Sequence, residues 1–106
     1  MSADEKKQSA RRLLGLSEQM LRAARQGEWA SVAELEAQRR DLSQQLFADP
    51  VPAEAADVVN HCVRELLALD PELIQLAEAA RDEAGEAVRR TQTGKTALSA
   101  YRRYSR

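Results

Sequence analysis

Gly27 stands between two long runs of helical apolar spacing, and that junction constrains the fold of this chain more than any other feature. The segment reads Met20-Leu21-Arg22-Ala23-Ala24-Arg25-Gln26-Gly27-Glu28-Trp29-Ala30-Ser31-Val32. Glycine lacks the Cβ that clashes in the left-handed conformation, so Gly27 suits the position just past a helix C-terminus. Arg22 and Arg25 place positive charge in the last turn before it, and Glu28 opens the next helix with negative charge. Both signs complement the helix dipole. The junction therefore predicts a tight helical hairpin. Trp29, the only tryptophan, sits at its elbow. It either seals the two helices together or stands exposed as an aromatic anchor for a partner.

The helical reading extends over the whole chain, because turn-bounded β-branched runs are absent. A first helix is predicted over about Gln8 to Gln26, with Leu13, Leu16, Met20 and Ala24 on one face and Leu14 and Leu21 widening it. The residues before Gln8 read as polar and loose. Gly15 costs that helix about 1 kcal/mol relative to alanine, and reads as the mark of a close helix contact. A second helix follows from Glu28 to about Phe47. Its Val32, Leu35, Arg39, Leu42 and Leu46 recur in steps of three and four, the seam of a coiled-coil-like pair. Arg39 interrupts that seam, and either snorkels to its edge or pairs with a carboxylate across the hairpin.

Asp49-Pro50-Val51-Pro52 ends the second helix, since each proline restricts the residue before it. A third helix from about Ala53 to Leu69 carries Val59, Cys62, Val63, Leu66 and Leu67. Asp70-Pro71-Glu72 offers a cap, a proline at a first helical position and an acid in a first turn, which predicts a new helix, or at least a sharp kink in a continuing one. The fourth segment then runs towards Thr91, and Gln92-Thr93-Gly94 reads as a break before a short, marginal helix from Lys95 to Tyr104. The expected fold is all-α, an antiparallel helical bundle of three to four main helices with a short basic C-terminal helix or tail. Residues 1–92 form the bundle in this division, and residues 93–106 the basic tail.

Groups that carry chemistry are sparse. His61 and Cys62 are adjacent, so on a helix they point about 100° apart and make neither a chelate nor a nucleophilic dyad. Cys62 reads as a small core residue and His61 as a surface or rim residue. Thr93-Gly94-Lys95-Thr96 resembles the end of a phosphate-binding loop, but Arg89 stands where that loop requires its first glycine. The carboxylates are scattered among arginines at solvent-face spacing, as Glu36 and Arg40 illustrate. No catalytic residue, cofactor or metal site is expected. No apolar run approaches the ~18 residues of a membrane helix, and the N-terminus lacks a signal-peptide core. With a single cysteine and no internal disulfide, cytoplasmic residence is the simplest expectation.

Nineteen of the 46 apolar residues are alanine and only four residues are aromatic. A core so poor in large side chains predicts modest stability for a lone copy, with a homodimer or another partner adding burial. Charge is distributed unevenly. Residues 1–86 hold ten Lys or Arg against all seventeen acids, whereas residues 87–106 hold six basic residues and no acid. The basic end folds back on the acidic body, meets an acidic partner, or stays solvated. The paired arginines are dispersed and the body is acidic, so nucleic acid is not an expected partner.

The pattern QMLRAA, then EW, then LE and an arginine in the hairpin resembles the front half of the FliT family of flagellar export chaperones. Thr93 to Tyr101, with Leu98-Ser99-Ala100-Tyr101, is similar to the family's late segment, and Leu66 to Leu73 stands where the family places an acidic break. The resemblance covers roughly nine-tenths of the chain. It implies a cytoplasmic chaperone without enzymatic activity that binds the flagellar filament-cap protein (FliD-like) and prevents its assembly before export. It also implies contacts with the export ATPase complex or a flagellar transcription regulator. A regulatory adaptor for those partners, or a structural helical dimer, is the alternative. In a helix-in-groove mode, Leu73, Ile74, Ala77, Ala80, Ala84 and Val88 would line the client site, unless the first or second helix fills that groove. Enteric members carry a further C-terminal segment over the binding face. Here five residues follow Tyr101, so that lid is expected to be mostly missing, with Leu98, Tyr101 and Tyr104 forming a shorter one.

Overall fold

The computed structural model of the protein describes the backbone of residues 1–104 and the side-chain surroundings of residues 1–96. Every regular element among the described residues is a helix: α1 (Ala3–Arg25), α2 (Trp29–Phe47) and α3 (Ala53–Tyr104). The chain divides into two compact units, Met1–Leu76 and Ala77–Arg106. The first is an antiparallel three-helix bundle built from α1, α2 and the opening part of α3. The second contains only the remainder of α3.

The hairpin forms as its sequence dictates. Gly27 adopts φ 73°, the left-handed value. The Glu28 N–H donates to the Ala23 carbonyl at 2.9 Å and the Gly27 N–H to that of Ala24 at 3.0 Å, which satisfies carbonyls that the end of α1 would leave orphaned. Trp29 is half-buried and packs at the elbow against Met20, Ala23, Ala24 and Val32, with Leu35, Leu73 and Leu76 around them. It seals the turn. The other end of the bundle holds Ala10 and Leu13 of α1, Leu46 of α2, and Ala55, Val59 and Cys62 of α3. Cys62 is therefore a core residue, and His61 lies exposed beside it.

The N-terminal residues are not loose. Ser2 caps α1 by accepting the Glu5 N–H at 3.2 Å, while Glu5 Oε1 accepts the Ser2 N–H at 3.4 Å, a reciprocal capping box. One turn later Lys6 is only 1% exposed. Its Nζ donates to the Leu46 and Asp49 carbonyls, each at 2.7 Å. A lysine thus caps the C-terminal end of α2 from inside the bundle, where a cation is favoured by the helix dipole. A polar residue reads as solvent-facing in a sequence, because its partners are backbone atoms forty residues away.

Three further expectations are corrected. Of the two readings of Asp70-Pro71, the new helix is overturned and the continuing helix is found: α3 runs through Pro71. Proline there removes one amide donor, but Asp70 and Glu72 on either side are held by arginines of α2 and α1, and Leu73 and Leu76 are held by the elbow cluster. The helix also continues through Gln92-Thr93-Gly94. Thr91 and Thr96 donate from their hydroxyls to the Ala87 and Gln92 carbonyls at 2.9 and 3.0 Å, so both threonines are accommodated within the helix. A single glycine costs only about 1 kcal/mol, which is too little to stop it. Gly15, finally, marks no close contact, because a Cβ built there meets nothing within 4 Å. Gly15→Ala should therefore stabilise the fold by about 1 kcal/mol, read as a higher denaturant midpoint with an unchanged slope.

Candidate functional site

Arg39 is the residue that joins the three helices. Its Nη1 donates to Asp70 Oδ1 on α3 and to Ser17 Oγ on α1, both at 3.3 Å, while the Ser17 hydroxyl donates to the Leu13 carbonyl at 3.1 Å. The side chains of Arg39 and Asp70 are 23% and 30% exposed, so the pair is partly desolvated. Of the two readings of Arg39, pairing with a carboxylate is the one the structure shows, although the carboxylate lies on α3 and not within the hairpin. The walls of a cleft of about 320 Å³ beside this pair include Glu36, Arg40, Leu13 and Leu66. Arg40 donates to Glu36 at 2.9 Å, so the cleft's charges are already partnered within the protein.

Arg25, in the last turn of α1, reaches α3 and holds Glu72 in a two-pronged contact of 2.6 and 2.8 Å. Hydrogen bonding from the Arg25 fork holds the Glu72 carboxyl below the ordinary carboxylate pKa, with the attraction between the charges adding to it against a desolvation penalty. A group whose folded pKa is depressed contributes stability that is fully present above its unfolded pKa and is lost as pH falls through the folded value. The contribution of Glu72 is thus intact at neutral pH and fades on the acid side of the carboxylate range. Glu72→Gln should leave a shallower loss of stability between neutral and acidic pH than the parent shows, measured by urea unfolding across that range.

A second cleft, of about 430 Å³, is lined by Leu14, Val58 and Cys62 with Arg11, Asp57 and His61 at its edge. It is mostly apolar. Among the described residues no group of His, Cys, Asp and Glu is arranged to hold a metal ion. No described helix is long and apolar enough to cross a membrane.

Exposed apolar surface is concentrated on α3. In the first unit Leu67 and Ile74 are 56% and 55% exposed, with Pro71 between them on the same helix face. Leu67 follows Leu66 along the third helix, but adjacent helical side chains diverge by about 100°, and only Leu66 packs against the core. The proposed client residues separate by environment. Leu73 is half-buried in the elbow cluster and Ile74 faces solvent. Within the second unit, Ala77 and Ala80 are partly buried, Ala84 is exposed and Val88 is 56% exposed. Side chains of Leu98, Tyr101 and Tyr104, the candidate lid, lie outside the described residues.

These features define a small all-helical protein with exposed apolar side chains on its long third helix. A family model described as flagellar protein FliT matches residues 7–103, and the chain belongs to that family. FliT proteins are flagellar export chaperones, so chaperoning in flagellar biogenesis is the activity that membership carries. No curated protein and no solved structure matches the chain.

Proposed function

We propose that this protein is a cytoplasmic export chaperone for the filament-cap protein, and that it buries an amphipathic C-terminal helix of that client on α3. The observation that carries the reading is the exposed apolar face of α3. Ile74 in the first unit and Val88 in the second are large hydrophobics left more than half open, and Ala77, Ala80 and Ala84 share the helix with them. Large hydrophobics exposed in this way favour binding of another protein. Leu73 supports the site from below, since its packing against the elbow cluster fixes α3 beneath Ile74. The basic segment 93–106, with Leu98, Tyr101 and Tyr104, acts in this proposal as a lid that the client displaces.

Calorimetric titration of the full chain with the C-terminal segment of the cap protein from the same genome tests this assignment. The expected result is a dissociation constant of about 1 μM or tighter, with a negative heat-capacity change that reports apolar burial. Ile74→Asp should weaken binding by at least about tenfold with the fold intact, because the side chain is already solvated in the free protein. Truncation after Gln92 should tighten it. Absence of binding would reject the cap protein as client and redirect the search to the export ATPase complex or a transcription regulator.

A further inference from the structure

Within the first unit α3 is anchored on the hairpin at two separate places, and its weakest backbone link lies between them. As far as Leu66 it packs into the cluster that holds Leu13, Leu46 and Cys62. Its next apolar anchors are Leu73 and Leu76, which pack against Met20, Ala23, Ala24 and Val32 at the elbow. Pro71 falls in the gap between the two. It has no N–H to give the Leu67 carbonyl, and its ring crowds that carbonyl. Asp70 and Glu72 flank the proline, about 200° apart around the helix. Each is gripped by a different helix of the hairpin. Arg39 of α2 holds Asp70 at 3.3 Å, and Arg25 of α1 holds Glu72 through two hydrogen bonds of 2.6 and 2.8 Å. Lifting residues 70–76 off the hairpin must break both pairs.

We propose that residues 70–76 of α3 form an ionic latch on the Trp29 elbow, which opens by bending at Pro71 while the far end of the bundle stays closed. The Arg25 and Glu72 side chains are 52% and 45% exposed, so dissolved ions reach the pair and screen it. Arg39 also donates to Ser17 Oγ, so when Asp70 leaves, its guanidinium keeps a partner inside the hairpin. Opening therefore strands no buried charge. It bares the cluster of Met20, Ala23, Ala24 and Val32, which Leu73, Leu76 and the Trp29 indole share. Such a movement is a local unfolding step, confined to one end because the second cluster contributes its own burial. The chain carries a reporter at each end: its only tryptophan lies at the elbow and its only cysteine in the far cluster.

Acrylamide quenching of Trp29 in the full chain, with no client present, reads the opening, and reaction of Cys62 with N-ethylmaleimide reads the far end. E72R and R25E should each raise the quenching constant by about twofold, because each sets like charges where the pair stands. The R25E/E72R double variant should return to within about 1.3-fold of the parent. In the parent, about 1 M sodium chloride shortens the screening length to about 3 Å and should move quenching in the same direction as the charge reversals. P71A restores a backbone donor and stiffens the link, so P71A/E72R should lose roughly half or more of the increase seen in E72R. Cys62 reactivity should stay within about 1.5-fold of the parent throughout. Quenching indifferent to both charge reversals and to salt would overturn the proposal. So would Cys62 reacting in step with Trp29 in the parent at high salt, which marks departure of the whole helix. An undiminished increase in P71A/E72R would overturn it as well, since the bend would then lie elsewhere. The latch is read without client, so its failure is distinguishable from failure of the chaperone reading.

Discussion

Lys6→Met is expected to lower the unfolding free energy by about 3 kcal/mol, since hydrogen bonds to a charged group contribute about 1.5–3 kcal/mol each. Methionine keeps the apolar stem in its slot and deletes only the ammonium. Two carbonyls at the end of α2, Leu46 and Asp49, then lose their donor. The Leu46 carbonyl is in a buried contact, where water is a poor substitute; the Asp49 carbonyl is less enclosed, which keeps the total below twice the larger value. Removal of a cation from the helix C-terminus adds to the loss. In a domain of this size such a change corresponds to a fall in Tm of roughly 13 °C. Chemical denaturation of the parent and variant checks it. A loss under about 1 kcal/mol would mean that Lys6 is solvated and the first turn of α1 frayed.

The second large effect concerns two neighbours of opposite environment. Leu46 is fully buried and Phe47 is 51% exposed. Leu46→Ala removes a side chain from the centre of the cluster formed by Ala10, Leu13, Ala55, Val59 and Cys62. Alanine and valine neighbours are short and cannot lean far into the space, so most of the cavity should persist. The expected cost is about 3–4 kcal/mol. Phe47→Ala, although it deletes more atoms, should stay within about 0.5 kcal/mol of the parent. The comparison tests the rotational setting of α2 directly. Equal losses would show that α2 is turned so that both side chains share the core.

Much of the first unit was legible because its signals are local. Gly27 ends α1 for a reason confined to its own backbone, and the steps from Val32 to Leu46 place one face of α2 inward whatever lies opposite. Trp29, the lone aromatic at the elbow, had two readings, and packing against Met20 and Val32 selected the seal. The candidate site was less legible. Periodicity ranked Leu73 and Ile74 together, yet one is held by the elbow cluster and the other faces water. The same limit applied to Leu66 and Leu67, where composition is identical and only the neighbouring helix distinguishes them.

By itself, the amino-acid sequence determined the helical class, the hairpin at Gly27 and the inward faces of α1 and α2, because these depend on backbone preference and the 3.6-residue repeat. Tertiary structure decided the rest. Lys6 became a core residue because the end of α2 presents carbonyls to it. Asp70 became the partner of Arg39 instead of a helix cap, and α3 runs through Pro71. Each of these outcomes depends on groups brought together across thirty or more residues, where satisfying desolvated charges and carbonyls offsets local preferences of about 1–3 kcal/mol.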